Sequence, residues 1–382
     1  MNRKLCIVIV AKDAAATIGR AAQSARACGD YPVLLVDDHS EDETSFIAQK
    51  ILGDRLTIIK TKESSGVGNA RQTAVDAVET PYAMWLDADD MALPHRADTM
   101  CAALEAGADL AFDPVILFDS STGADMHPLP IPDFLRTSGG LWRSFERNWI
   151  PMLAGGFRTS VARQVGFDRQ YRCAEDYDFL LRSLMAGVSV TILDSPGYRY
   201  AHSGQSLSRD LAVSERFTGA AQSKHELHTV AQRLTETRLG DGERFYTLAC
   251  LAHTHADEDN LMVYTDALRQ SQENIPPYNR SGQWMAHYLS ATAFLKSERF
   301  GMALRELNAI QNQNSPDVLN NLALAYWHQS KPEAAVTLWQ RALSLLPGYL
   351  DATNNLTAVR QGARPHAVTR FPLRLAPSRS LY

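Results

Sequence analysis

Short apolar runs and stretches of helical period alternate along the first half of the chain. Leu5 to Ala11 is a continuous apolar run that stops at Lys12-Asp13, the pattern of a buried strand. Ile18, Ala21, Ala22 and Ala25 then recur at helical spacing, with Thr17 as the expected N-cap and Gly29 just past the end. Val33 to Val36 predicts a second strand ending in Asp37-Asp38. Ser40 followed by Glu43 predicts a capping box for a helix running to Leu52 and closed by Gly53. Leu56 to Ile59 predicts a third strand and Val67 to Glu79 a third helix. Ala83 to Leu86 forms a fourth apolar run that leads straight into Asp87, Asp89 and Asp90, with a further helix starting near Pro94. Strands separated by helices of about ten residues imply right-handed crossovers and a largely parallel sheet. Each acidic cluster then sits at a strand's C-terminal end, along the one rim where such sheets place ligands.

Beyond Ala111 the periodicity weakens. Residues 113–150 carry several Pro and Gly, which predicts irregular structure with short antiparallel strands. Gly155-Gly156 allows close backbone approach to a ligand or forms a plain turn. Cys173 to Arg182 opens a helix whose core side includes Phe179, Leu180 and Leu184, and Val188 to Leu193 predicts a strand. From Asp210 strand signals nearly vanish. A long helix is expected over 210–238, a break at Gly240-Asp241-Gly242, and helices thereafter.

Composition narrows the class. At 382 residues, with 45% hydrophobic and 21% charged residues, the chain has the makeup of an ordinary globular protein with one large core and a smaller one. A net charge of -5 without a long basic run offers no electrostatic footprint for nucleic acid. Cys6, Cys28, Cys101, Cys173 and Cys250 are scattered, with no Cys-x-x-Cys pair, so they read as reduced thiols of a cytoplasmic protein and imply no zinc. Arg3 and Lys4 precede an apolar run too short for a signal peptide, and no window approaches the ~20 apolar residues of a spanning helix. Any membrane contact is therefore expected to be peripheral, at the inner face.

Two acidic constellations carry chemistry. Asp87 and Asp89 are two apart, so on an extended backbone they point the same way, and two hard oxygen ligands suit Mg²⁺ or Mn²⁺. The alternative is an acidic turn capping the helix near Pro94. Glu175, Asp176 and Asp178 gather in a helix's first turn, where acids complement the dipole or where one acts as a base.

Four segments, in this order and spacing, resemble the successive motifs of glycosyltransferase family 2: Ile7-Val8-Ile9-Val10-Ala11-Lys12-Asp13, Leu35-Val36-Asp37-Asp38-His39-Ser40, Gly66-Val67-Gly68-Asn69-Ala70-Arg71-Gln72 and Trp85-Leu86-Asp87-Ala88-Asp89-Asp90. The resemblance covers roughly residues 4–205. It implies an α/β catalytic domain over 1–208 with the GT-A nucleotide-diphospho-sugar transferase fold, a mostly parallel sheet flanked by helices. It also implies roles. Val10, Lys12 and Ala88 would lie against the donor, Asp38 would accept a hydrogen bond from uracil or another base, and Arg71 would sit near the base or diphosphate, unless it is a solvated helix residue. Asp87 and Asp89 would hold the metal, Asp89 the more direct ligand, with the ion bridging the diphosphate. Glu175-Asp176 resembles the family's Glu-Asp motif, which makes Asp176 the base of an inverting transfer and leaves Glu175 to orient the acceptor or support its neighbour. Gly156 would border the donor, His202 would complete the metal shell, and Ser206 would meet phosphate oxygens.

Asp317 to Pro347 resembles a tetratricopeptide repeat, with Leu322, Ala323, Tyr326, Ala335, Trp339 and Ala342 in the expected relative positions; Phe294, Ala303 and Leu307 suggest a preceding copy. The expected organisation is a helical linker over 209–242, an all-α tetratricopeptide-like domain over 243–363 and a tail over 364–382, docked or loose. Such repeats would engage a protein partner, a second copy or a polypeptide acceptor. Together these features predict a metal-dependent, inverting glycosyltransferase that moves a sugar from a nucleotide-sugar, UDP-linked by preference, to a hydroxyl of a glycan, glycolipid or polypeptide. Two alternatives differ in class. A pyrophosphorylase would need a glycine-rich basic loop where this chain has Ala11-Lys12-Asp13-Ala14-Ala15-Ala16. A non-catalytic scaffold with an inactive first domain would have no need of Asp38, Asp87, Asp89 and Asp176.

Overall fold

The apolar runs become the strands of a central sheet. In the computed structural model, which describes residues 4–63, 66–150, 155–202, 211–311 and 313–373, β1 (Leu5–Ala11), β2 (Val33–Asp37), β3 (Leu56–Lys60) and β4 (Tyr82–Asp87) run parallel. They are linked by α1 (Ile18–Ala27), α2 (Thr44–Leu52) and α3 (Val67–Ala77). Leu5, Ile7, Val8 and Ile9 are fully buried, as a central strand covered on both faces requires. There follow β5 (Met91–Ala92), α4 (Arg96–Glu105), β6 (Leu110–Phe112), β7 (Val115–Asp119), β8 (Asp125–Leu129), β9 (Gly156–Arg158), α5 (Thr159–Val165), α6 (Glu175–Met185), β10 (Val190–Ile192) and β11 (Tyr198–His202). The sheet order is β10-β6-β9-β4-β1-β2-β3, and β9 alone among these described strands runs antiparallel to its neighbours. A smaller sheet, β5-β11-β7-β8, begins where β4 ends. The irregular stretch after Ala111 thus contains the expected antiparallel pair, β7 with β8.

Two helix starts differ from expectation. Thr17 makes no capping bond; its hydroxyl instead donates to the Ala14 carbonyl. Ser40 caps nothing either, because α2 begins only at Thr44. Its amide is turned back onto Asp37 Oδ1 at 2.7 Å, while its hydroxyl accepts from the Asp13 amide at 3.0 Å. Asp42 satisfies the helix start instead, since Oδ1 accepts from the Thr44 amide and Oδ2 from the Ala15 amide. A tertiary bond between two loops therefore outcompetes the local box.

The chain divides into two compact units, the first comprising residues up to Thr137 together with Arg147–His225, and the second comprising Ser138–Glu146 and the residues from Glu226 onward. The expected long helix over 210–238 is two helices, α7 (Leu211–Ser223) in the first unit and α8 (Leu227–Thr235) in the second. The break has a tertiary cause. Lys224 Nζ is held by Asp168 at 2.7 Å and Asp178 at 2.8 Å, and the next residue, His225, is buried. The chain restarts from an extended Glu226.

In the second unit α9 (Asp241–Thr254) packs on α10 (Glu258–Gln270), α11 (Gly282–Lys296) on α12 (Phe300–Ala309), and α13 (Pro316–His328) on α14 (Pro332–Leu345), followed by α15 (Leu350–Arg360). Phe294, Ala303, Ala323, Ala335, Trp339 and Ala342 are buried together, so the small residues of the sequence pattern sit where helices cross closely. No helix among the described residues is long and apolar enough to cross a membrane.

Candidate active site

The strand register assembles the rim. Val10 aligns with Val36 on one side and Asp87 on the other, and Ala11 aligns with Asp37, so the ends of β2, β1 and β4 lie side by side. The Asp38 amide donates to the Ala11 carbonyl at 2.8 Å, and its carboxylate, buried at the end of β2, accepts from Thr61 Oγ1 at 2.6 Å. Asp37 belongs to the scaffold. Burial works against its charge, but bonds from the Ser40 amide and the Ser45 hydroxyl hold its carboxyl below the usual range. Lys12 follows β1 as an exposed residue.

Arg71 is the centre of the cluster. Its helix, α3, is fixed at its first turn because the Gly68 amide donates to the Tyr171 carbonyl at 3.0 Å, and a Cβ on Gly68 would come within 2.3 Å of the Asp168 carbonyl oxygen. Arg71 is thereby buried, with Nε donating to Glu175 Oε1 at 2.7 Å, Nη2 to Asp87 Oδ1 at 3.2 Å, and the guanidinium lying 4.7 Å from the Trp85 ring centroid. Burial opposes its charge, yet Asp87, Glu175 and Asp176 outweigh burial and keep it protonated. Nη1 is buried with no partner among the described residues. Arg71 is thus no solvated helix residue, and Glu175 acts as its positioning partner.

Asp176 sits beside this pair at the start of α6, after Ala174 in a left-handed conformation (φ +59°). It borders a pocket whose other walls include Trp85, Phe157, Phe167, Phe179 and Gly155. Desolvation and the neighbouring Glu175 push its carboxyl up to about 7, against the pull of Arg71 and the Tyr177 amide. The dipole of α6 does not set its charge state: apolar surroundings and a neighbouring acid win, which makes Asp176 a stronger base than a helix-cap carboxylate.

Asp89 opens to solvent just past β4, and partial desolvation and Asp87 raise its carboxyl. Asp90 is buried and raised further by desolvation and by Asp89 and Asp87. Two hard carboxylates on a rim with unneutralised acid fit Mg²⁺ or Mn²⁺, which take one or two protein carboxylates and leave the remaining positions to phosphate and water. Among the described residues no three His, Cys, Asp or Glu side chains gather as a metal group. His202 lies on β11 opposite Asp119 of β7, and the structure does not bring it together with Asp87 and Asp89. Ser206 lies outside the described residues. Gly156 is inside the sheet, where a Cβ would press on Met100 Sδ at 3.1 Å; at Gly155 it would meet the Ala111 carbonyl oxygen at 2.3 Å. Close packing around β9 requires both glycines, and both also line the pocket that Asp176 borders.

Sequence reasoning assigned no role to the residues that hold the rim in place. The Tyr198 hydroxyl donates to Asp90 Oδ2 at 2.7 Å and accepts from the Asp87 amide at 3.0 Å, while Asp90 Oδ1 takes the Ala201 amide at 2.7 Å. Arg96 forks onto Asp113 (2.9 and 3.2 Å), donates to the Trp85 carbonyl and lies 4.5 Å from the centre of the Tyr198 ring. The third acid of the Asp87-Ala88-Asp89-Asp90 run was the available signal: one acid beyond what a metal pair needs.

A mostly parallel sheet whose acidic rim meets a buried arginine and a raised carboxylate places the first unit among GT-A-like domains, followed by an all-helical region. The family model of glycosyl transferase family 2 matches residues 6–168, which form a domain of that family. Succinoglycan biosynthesis protein ExoU of Rhizobium meliloti (strain 1021) is 30% identical over 219 residues, covering 53% of this chain and 64% of ExoU, so the chain spans less than two thirds of that relative's length. Succinoglycan biosynthesis protein ExoO of the same organism is 29% identical over 253 residues, 61% of this chain and 72% of ExoO. Residues 1–349 of S. aureus TarS, solved in complex with UDP-GlcNAc, share the fold at a TM-score of 0.50 and 15% identity, over 94% of this chain and 92% of that one.

Proposed function

We propose that the first unit transfers a sugar from a nucleotide-diphosphate sugar to an acceptor hydroxyl by a single inverting displacement. The observation that carries this reading is Asp176, a carboxylate with its proton affinity raised to about 7, next to an arginine shared by Glu175 and Asp87. In this mechanism the acceptor O–H gives its proton to Asp176 as its oxygen bonds to the anomeric carbon, and the bond from that carbon to the phosphate oxygen breaks. Asp38, with one oxygen held by Thr61, receives the base N–H of the donor. Val10, Lys12 and Ala88 line the same rim. Arg71, charged and with a buried N–H to spare, stabilises the departing diphosphate. Asp87 and Asp89 would hold a divalent cation, which supplies charge neutralisation for the nucleoside diphosphate when bound.

UDP is the nucleotide to test first, since the fold relative TarS is seen with UDP-GlcNAc. The helix pairs of the second unit are read as tetratricopeptide-like repeats serving acceptor or partner binding, in a cytoplasmic protein whose membrane contact is peripheral. A panel of nucleotide-sugars with and without Mn²⁺ tests the proposal. A bound donor raises the melting temperature by mass action, about 2.7 kcal/mol at a hundredfold excess over Kd. If no nucleotide-sugar stabilises the protein, with or without metal, the first unit is not a transferase and the scaffold reading replaces it.

A further inference from the structure

Three buried asparagines on one side of the helical unit are the most unusual feature outside the rim. Asn320 and Asn321 of α13 and Asn355 of α15 are at most 1% exposed. Asparagine is a poor helix former, and a buried amide is costly unless all its groups are bonded. What satisfies them is a stretch of extended chain. Asn355 exchanges both bonds with Ala367: its Nδ2 donates to the Ala367 carbonyl and its Oδ1 accepts from the Ala367 amide, each at 2.8 Å. Asn321 does the same with Thr369, at 3.0 and 2.9 Å. Asn320 adds a second donor to the Ala367 carbonyl at 3.0 Å.

The spacing explains the arrangement. A carboxamide carries one donor edge and one acceptor, the same pair as a peptide group, so each asparagine imitates a neighbouring strand. Ala367 and Thr369 are two apart, and on an extended backbone alternate residues turn the same edge to one side. The pairing extends beyond them: Pro365, which has no N–H, is met only at its carbonyl by His328 Nε2 at 3.1 Å, and the Leu373 amide donates to Asp317 Oδ2 at 2.9 Å. Most of these hydrogen bonds are to backbone and so are indifferent to side-chain identity, but Val368 and Leu373 pack against the helical core and the Arg370 guanidinium bonds the Thr254 hydroxyl. Thr369 is the most fully bonded side chain of the segment. Its hydroxyl donates to Asp351 Oδ2 at 2.7 Å, accepts from Asn320 Nδ2 at 3.1 Å and bonds the Tyr349 hydroxyl.

We propose that this face of the helical unit is a binding site for extended polypeptide, filled in cis by residues 365–373, and that a polypeptide carrying Thr or Ser at the Thr369 position displaces that segment in trans. Beside the apolar contacts of Val368 and Leu373, the segment is held by a polar ladder that water can satisfy once it leaves, and such a ladder is suited to exchange. The site does not depend on sugar transfer and stands or falls separately from it.

The probe is a fluorescein-labelled peptide of residues 364–373, with binding to the full chain read by anisotropy. Thr369→Arg, which cannot seat its own segment, should bind the peptide about tenfold or more tighter than the wild type does, because self-occupancy competes. Adding Asn321→Ala, or methylating the peptide's nitrogen at the Thr369 position, should each weaken binding about tenfold, the effect of losing a buried bond. Equal binding by wild type and a folded Thr369→Arg, or indifference to N-methylation, overturns the proposal. Hydrogen exchange on the wild type provides a check that needs no variant. Excess unlabelled peptide should accelerate exchange at the Ala367 and Thr369 amides of the chain; unchanged protection would show that the segment is a fixed part of the fold.

Discussion

Asp176 behaves as its neighbours dictate. Its carboxyl rises from 3.8 to about 7 because burial among its neighbours disfavours the charge and Glu175 repels it. Transfer should therefore rise as pH increases through about 7. Asp176→Asn keeps the shape but cannot take a proton, so transfer should fall about 10²–10⁴-fold while nucleotide affinity is retained. Near-normal transfer in that variant would remove Asp176 from the mechanism. The same shift affects stability. A carboxyl raised in the folded state favours folding while protonated, an advantage complete below 3.8 and lost as pH rises through about 7. Asp176→Asn should thus gain in melting temperature over wild type at pH 8 relative to pH 4, and equal differences at the two pH values would contradict the buried-acid account. Asp89 makes a different prediction. Asp89→Asn replaces an anionic ligand by a neutral one, so calorimetry should find weaker Mn²⁺-dependent binding of UDP; unchanged metal dependence would exclude Asp89 as a ligand.

Elements set these side chains through close contacts that leave no room for a Cβ. Gly155 meets the Ala111 carbonyl and the Phe112 ring, so the strand that begins beside it can enter between β4 and β6 only with glycine there. Gly155→Ala should destabilise the protein by about 1–3 kcal/mol, the usual cost of overpacking. A Cβ added at Gly219 on α7 would meet nothing within 4 Å, and Gly219→Ala should instead stabilise by about 0.5–1 kcal/mol. Denaturant midpoints measured side by side distinguish the two. Gly68→Ala acts at a distance: it pushes α3 from the Asp168 carbonyl and should weaken nucleotide binding through Arg71, which touches both Asp87 and Glu175.

Across the full length of the protein, the chain contributes a middle segment to its second unit. Ser138–Glu146 packs with the residues from Glu226 onward, and the fully buried Arg143 forks onto Glu146 at 3.0 and 2.6 Å and reaches Glu243 at 3.1 Å, while the Tyr278 hydroxyl donates to Glu146 at 2.8 Å. A protein ending at His225 keeps the Arg143–Glu146 pair but loses Glu243 and Tyr278. It should melt well below the full chain. In the full chain, Glu146→Ala should cost about 3–5 kcal/mol by leaving a buried guanidinium without its main partner. A truncation as stable as the first unit within the full chain would refute this account of the segment.

The linear chain alone specifies β1 to β4 and the carboxylates that end β2 and β4, because an apolar run terminated by acids is a local pattern that survives folding. Val10, Asp38 and Asp87 fall on one rim for that reason, as the register of β1 with β2 and β4 confirms. The buried small residues of the helix pairs were legible on the same grounds, as helical period. Whatever depended on partners distant in the chain was settled only by folding. Ser40 looked like a cap, but the amide of Asp13, in a loop 27 residues earlier, claimed its hydroxyl. Gly155 and Gly156 carry the same letters for a turn or a packed strand, and only their neighbours select the packed strand, at the wall of the pocket beside Asp176. Arg71 meets Glu175 more than a hundred residues away, and Asp176 owes its raised carboxyl to an apolar wall drawn from several strands and helices. Asn320, Asn321 and Asn355 read as unremarkable polar positions until an extended segment lies across them. Burial and pairing are properties of three-dimensional neighbourhoods, and no window of sequence contains them.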